Sequence, residues 1–326
     1  MSAEAPLFAR RPGLVERLLN AGFRGAARSG AAATLLTLCG CFVYLFWHAA
    51  PGFREFGFAP LWTSDWDVNH DVYGLWPAIA GSLMSSMLAL ALASCFGLAI
   101  AILLTQDFLP RGVAAALGQL VDLLAGIPSV IYGLWGVVVL GPALKPLAGW
   151  LHEHCGWLPF FATEYQGLGM LPAALTLAAM ALPTVAAIAR EALTSVPTTL
   201  RDASLALGAT RWETILRVTL PAAKTGLIGA AALGFGRALG ETMALAMLIG
   251  NQQAATWSVL SPGTTLAALV ALKFPEAGGL ELSMLMYAAA TLLALTMAVN
   301  AVGHAIVAGA ARRIRKEERR DARRRP

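Results

Sequence analysis

The sequence predicts an all-α membrane protein, a polytopic bundle of six transmembrane helices. Of its 326 residues, 57% are apolar or aromatic and only 13% are charged, with a mean hydropathy of +0.65. A water-soluble domain cannot hide that much hydrocarbon. The apolar residues form unbroken runs long enough to cross a bilayer, for which about 20 residues suffice. Those runs lack the two-residue alternation of barrel strands, and backbone in the bilayer core has no water to bond, so helices remain. A soluble enzyme, a secreted disulfide scaffold and a disordered adaptor are excluded.

Six apolar segments stand out, at about 30-48, 78-104, 113-141, 169-189, 223-250 and 281-309. The first reads as a retained anchor, because its preface is long and His48-Ala49-Ala50 offers no signal-peptidase site. The third is too long for one straight span, and Pro128 after Gly126 and Ile127 is expected to break it. The expected organisation is a cytoplasmic tail over 1-29, an anchor over 30-48 and a periplasmic loop over 49-77. A core over 78-309 follows, with a cytoplasmic loop at 190-222 and a basic cytoplasmic tail over 310-326. Orientation follows from the basic residues. With the N-terminus inside, one face collects Arg10, Arg11, Arg17, Arg24, Arg28, Arg111, Arg190, Arg201, Arg211, Arg217, Lys224 and the nine basic residues of the tail. The opposite face has only Arg54, Lys145 and Lys273, so both termini are placed in the cytoplasm. The net charge of +5 therefore reflects topology, with the tail beside anionic lipids and no nucleic acid implied. Cys39, Cys41 and Cys95 fall in spans and Cys155 in an outer loop, so no structural disulfide is expected.

No Gly-x-x-x-x-Gly-Lys-[Ser/Thr] loop is present, so ATP, if it drives this protein, must bind another polypeptide. Gly234-Phe-Gly236-Arg-Ala-Leu-Gly240 has the wrong spacing for a dinucleotide fingerprint, and close helix packing explains those glycines better. Asp65-x-Asp67-x-Asn69-x-Asp71 begins like a calcium loop. His70 replaces the turn glycine, however, and Trp76 stands where a bidentate glutamate belongs. Adjacent ligands in His152-Glu153-His154-Cys155 cannot easily surround one tetrahedral ion. No metal or cofactor is expected in this chain.

The loop between the fourth and fifth spans is charged yet helically periodic. Thr199-x-x-Asp202 and Thr210-x-x-Glu213 read as two capping boxes, with Gly208 between them as a left-handed stop. Two short helices joined by a tight turn are expected, with Leu200, Ala203, Ser204 and Leu207 on one face of the first. So short a helix must pack on something, either its own bundle or a groove on a cytoplasmic partner. Asp202-Ala203-Ser204-x-x-x-Gly208, then nine residues, then Val218-x-Leu220-Pro221 resembles the coupling-loop signature of ATP-binding-cassette importer permeases. Asp202 stands for the usual glutamate, Ser204 for an alanine and Val218 for an isoleucine, which keeps charge, size and branching.

The resemblance narrows at Arg237-Ala-Leu-Gly240-Glu241-Thr242-Met243 with Ile249-Gly250-Asn251, which is similar to the PstC-like permeases of phosphate importers. Leu124-Ala-Gly126-Ile-Pro128-Ser129-Val-Ile-Tyr132-Gly133-Leu-Trp135-Gly136 and Ser261-Pro262-Gly263-Thr264 match two further blocks of that family, and the likeness runs from about 60 to 310. Cys95-Phe96 departs from a family segment that often carries a proline. The resemblance implies a type I importer permease fold in the bacterial inner membrane. It also implies a PstA-like permease as heterodimer partner, two PstB-like ATPases that hold ATP and Mg, and a periplasmic PstS-like phosphate-binding protein. The Asp202 to Gly208 segment would couple to the ATPases. The chain itself would catalyse nothing.

Arg237 and Glu241 fall inside the fifth span, where each would oppose insertion by about 2.5 to 3.5 kcal/mol if unpaired. Their i,i+4 spacing allows an ion pair that orders the bundle. Alternatively, the guanidinium holds phosphate through paired donors and Glu241 is its resting counter-ion. Asp122 either faces the same cavity or caps an interrupted helix. Ser129, after the Pro128 break, either contacts phosphate or fills a kink. Thr242 is a weaker hydroxyl candidate, and His304 reads as a packed interhelical donor rather than a proton relay. Two rivals remain: an importer of sulfate or another oxyanion, and a membrane-embedded enzyme acting on lipid phosphates, which leaves the coupling signature unexplained.

Overall fold

A computed structural model describes residues 13–322, and helix accounts for most of them. In chain order they are α1 (Leu14–Phe56), α2 (Trp76–Thr105), α3 (Arg111–Ala125), α4 (Ser129–Trp135), α5 (Gly141–Cys155), α6 (Met170–Thr194), α7 (Thr198–Ala206), α8 (Arg211–Thr214), α9 (Leu220–Leu239), α10 (Met243–Leu248), α11 (Leu266–Lys273) and α12 (Gly279–Ala322). Short π-helical stretches, Gly136–Leu140 and Ile215–Thr219, join α4 to α5 and α8 to α9. Among the described residues, six helical stretches are long and apolar enough to cross a membrane: Leu19–Phe56, Trp76–Thr105, Ser129–Cys155, Met170–Thr194, Arg211–Leu239 and Gly279–Gly309. A small antiparallel hairpin, β1 (Trp66–Asp67) and β2 (Val72–Tyr73), pairs Trp66 with Tyr73 and Asp67 with Val72.

The chain divides into two units, residues 1–48 and 49–326. In the second, α6 is the central helix. Its alanines Ala173, Ala174, Ala178, Ala181, Ala186 and Ala189 are all buried, and α2 and α9 both pack on it. Lipid tails are as apolar as leucine, so helices in a bilayer associate through close van der Waals packing, which small residues permit. Val185 shows the mechanism. A Cβ added at Gly97 of α2 would stand 3.1 Å from Val185 Cγ1, and one at Gly234 of α9 would stand 2.5 Å from Val185 Cγ2. The two glycines thus bring α2 and α9 onto the two methyls of one α6 residue.

Several expectations are corrected. The third apolar segment is broken at Pro128, which is the N-cap of α4, but the span is Ser129–Cys155 rather than the predicted 113–141 stretch. The first part of that stretch is a separate helix, α3, in which Arg111, Gln119 and Asp122 line one side. The break lets the chain change direction, and α5 continues through the region expected to be an outer loop. The fifth span ends at Leu239, earlier than the predicted 250, because Gly240 caps it and α10 begins afresh at Met243. The first helix runs well beyond the 30–48 segment on both sides and contains Pro51. Residues 1–12 and 323–326, which hold part of the expected basic clusters, lie outside the described residues.

Candidate translocation and coupling sites

Arg237 lies in the last turn of α9, beside the packing point just described. Its side chain reaches α6, where Nη1 donates to Thr184 Oγ1 at 3.4 Å. It also lies within electrostatic range of Tyr132 on α4, whose hydroxyl donates to the Leu124 carbonyl at 3.0 Å. Nevertheless the chain leaves Arg237 exposed. The expected ion pair with Glu241 does not form among the described residues. The reason is local: the i,i+4 relation needs continuous helix, and α9 stops at Leu239 between the two residues. Glu241 instead accepts from the Ala244 amide at 3.3 Å, bonding the first turn of α10. Carboxylates are favoured there, where amides have no helical partner. Thr242 donates to the Gly240 carbonyl at 3.3 Å within the same break.

Ser129 opens α4 one turn before Tyr132. Asp122, expected as a buried charge, is exposed on α3 and lines a different cleft, of about 420 Å³, with Asp107, Arg111, Gln119 and Arg190. An amphipathic helix needs no buried partner for such a residue. His304 is exposed on α12. Two polar groups, one bonded to Arg237 and one beside its neighbour Gly236, were not expected from the sequence. One is Thr184. The other is Asn300 of α12, whose Oδ1 would lie 3.2 Å from a Cβ at Gly236. Both are polar residues in apolar spans, and Thr184 directly follows Pro183 inside α6, a signal that was available.

At the other end of α9, the two-helix loop forms around Gly208, which adopts the left-handed φ of 88° that suits glycine. The second capping box is complete: Thr210 Oγ1 accepts from the Glu213 amide, and Glu213 accepts from the Thr210 amide at 2.9 Å. The first does not form. Pro197 is the N-cap of α7 and the helix starts at Thr198, two residues too early for Thr199 to cap it. Ser204 joins α7 to α8 through a hydroxyl contact of 3.0 Å with Thr214. Asp202 lines a small polar cleft with Arg201 and Arg211. Otherwise α7 buries no residue; Ala203 is exposed, Leu200 is 47% exposed and Leu207 is 90% exposed. Packing of the apolar face on its own bundle is therefore not what the structure shows.

The two metal-like clusters are a solvated turn and a helix end. Asp67 accepts from the Asn69 amide and from His70 Nδ1, the latter at 2.6 Å. That bond holds the Asp67 carboxyl below its usual range and the His70 imidazole above its own. His152 and His154 bond to the Phe161 and Trp150 carbonyls in the last turn of α5 and just beyond. Among the described residues, no three His, Cys, Asp or Glu side chains converge on a metal-sized position.

Comparison with known proteins agrees with this geometry. Residues 97–316 match the family of binding-protein-dependent transport system inner membrane components. The phosphate transport system permease protein PstC of Pasteurella multocida is 37% identical over 303 residues, covering 91% of this chain and 93% of its own. PstC of Mesorhizobium japonicum is 35% identical, covering 87% and 89%, and PstC 2 of Mycobacterium tuberculosis is 34% identical, covering 88% and 91%. Among solved structures, a bacterial alginate ABC transporter superimposes with a TM-score of 0.59 at 15% identity, over 88% of this chain and 96% of the other. The MetNI methionine ABC transporter, in an inward-facing conformation, gives 0.52 at 20% identity over 73% and 94%. These two show the fold alone, that of a type I ABC importer permease; the family match and the PstC relatives make the chain a multi-pass membrane protein and a transport permease subunit rather than an enzyme. The chain belongs to the family of binding-protein-dependent transport system inner membrane components, and within it to the PstC permeases.

Proposed function

We propose that the chain is the PstC-type permease subunit of an ATP-driven importer of inorganic phosphate, and that Arg237 meets the anion within the membrane. The exposed guanidinium carries this reading. A cation in a membrane span must be matched by protein, water or an anion, and among the described residues only a neutral hydroxyl, Thr184, bonds it. Arginine stays protonated at any physiological pH, and its planar fork can donate to two oxygens of one phosphate. With Glu241 engaged at α10, the fork is free for that task. Ser129, Thr242 and Asp122 join the candidate path more weakly, since none of them bonds Arg237.

The uncovered apolar residues of α7 suit a groove on an ATPase, with Leu200, Asp202, Ala203, Ser204, Leu207 and Gly208 forming the coupling element. Because α8 and α9 are continuous through a π-helical turn, a displacement of the loop reaches Arg237 along one helix. The expected assembly is this chain with a PstA-like permease, two PstB-like ATPases carrying ATP and Mg, and a PstS-like phosphate-binding protein. The site would lie in the bacterial inner membrane, with both termini cytoplasmic. Labelled phosphate uptake, with sulfate as competitor, tests the function in cells deleted for the chain and then resupplied with it. We expect sulfate-resistant uptake to return. Uptake abolished by equimolar sulfate would reassign the substrate, and no uptake from a correctly assembled complex would remove the proposal.

A further inference from the structure

α7 is tied to the bundle at a second place, remote in sequence from its flanking spans. The turn 106–109, between α2 and α3, reaches it. Gln106 is only 5% exposed and anchors the turn by donating to Thr105 Oγ1 at 3.1 Å. Asp107 takes a left-handed φ of 52°, and its carboxylate lies 3.9 Å from Arg201 of α7. Phe108 stacks on Trp212 of α8, with ring centroids 5.2 Å apart and planes 30° from parallel. A polar cleft of about 180 Å³ lies between the turn and α7–α8, bordered by Gln106, Asp107, Arg201, Asp202 and Arg211. An exposed ion pair adds little by itself, so the aromatic stack is the stronger tie.

We infer that this turn is a second mechanical link in coupling, with Asp107, Phe108, Arg201 and Trp212 as positioning residues. Movement of α7 reaches α9 through the covalent chain, but α9 is only one of the helices packed on α6. The turn continues into α2, which packs along α6 and meets the other methyl of Val185. It also leads into α3, which precedes the Pro128 break and α4. A push on α7 is thereby delivered to both neighbours of α6 together, so the helices around Arg237 shift as a set. Without the link, α2 follows α9 only through their shared packing, and ATP is hydrolysed with less phosphate moved.

The inference rests on α7 being the ATPase contact. Its test uses the assembled transporter in proteoliposomes, measuring phosphate taken up per ATP hydrolysed. We expect Trp212→Ala to lower that ratio about two- to tenfold, the size of effect an aromatic pair can exert on an equilibrium, while the ATPase still co-purifies. Trp212→Phe, which keeps a ring, should restore the ratio. Asp107→Arg should lower it less, and Asp107→Arg with Arg201→Asp should recover part of the loss. An unchanged ratio in Trp212→Ala, or uptake and hydrolysis falling in proportion as the ATPase is lost, overturns the inference. Leu207→Asp is measured alongside. If it retains the ATPase, the docking of α7 fails and the inference with it. If it loses the ATPase while Trp212→Ala keeps a normal ratio, the inference alone fails.

Discussion

The two ends of the α8–α9 helix leave opposite kinds of group uncovered. At one end, Arg237 is a charge exposed among apolar residues; at the other, Leu207 is an apolar side chain, 90% exposed, in a charged loop. Each is costly in its own setting: a charge against lipid by the scarcity of partners, a leucine in water by its hydration. Elsewhere the same stretch satisfies itself, as in the Thr210–Glu213 capping box and the Gly234 contact with α6. Arg237 and Leu207 are thus two groups that the chain leaves uncovered, and under the proposed function a ligand meets one and a protein the other.

That contrast can be broken from either side. The largest effect is expected at the apolar end. Leu207→Asp should weaken capture of the ATPase subunit by about tenfold or more, the range for a well-buried interface anchor, as read by co-purification, with the permease still folded. Equal capture would mean that the exposed leucine faces only water. At the charged end, the Thr184 hydroxyl should orient the guanidinium without meeting the anion. Thr184→Val is expected to raise the KM for phosphate about two- to tenfold at nearly unchanged maximal rate, in keeping with one lost hydrogen bond. Thr184→Ser should restore it. A fall in maximal rate alone would assign Thr184 to helix packing.

The smallest effect concerns the hairpin, far from both ends. His70 gains its proton more readily when folded, so its share of the Asp67–His70 bond is fully present below its ordinary value of 6.5 and is lost as pH rises through the raised one. Asp67 is shifted down, so its share is present above 3.8 and is lost as pH falls through the lowered value. Protection of the Asn69 amide should therefore be greatest between those two limits, and a flat profile in hydrogen exchange would show that the turn holds without the pair.

Much of this was legible in the residues. Six spans, the Pro128 break, the Gly208 turn and the second capping box all follow from local rules of length, proline and caps. What was not legible depended on where a helix ends. Arg237 and Glu241 are spaced for an ion pair only if α9 continues, and Gly240, read as a packing residue, is its stop. Asp122 looked buried because its neighbours are apolar; those apolar residues belong to an amphipathic helix whose other side is open. Thr199 and Asp202 have the spacing of a box, but Pro197 pre-sets the backbone and starts α7 at Thr198. Thr184 reaches Arg237 from 53 positions away and Asn300 reaches Gly236 from 64, a proximity that periodicity within one helix cannot reveal.

The most direct measurement is made on the assembled transporter carrying Arg237→Lys, with phosphate uptake and ATP hydrolysis followed in the same proteoliposomes. Lysine keeps the charge and removes the fork. If the guanidinium holds phosphate through paired donors, uptake should fall at least about tenfold, as for a lost charge-assisted bond, while hydrolysis persists. Uptake at the wild-type rate and KM would contradict it, and would return Arg237 to a structural role.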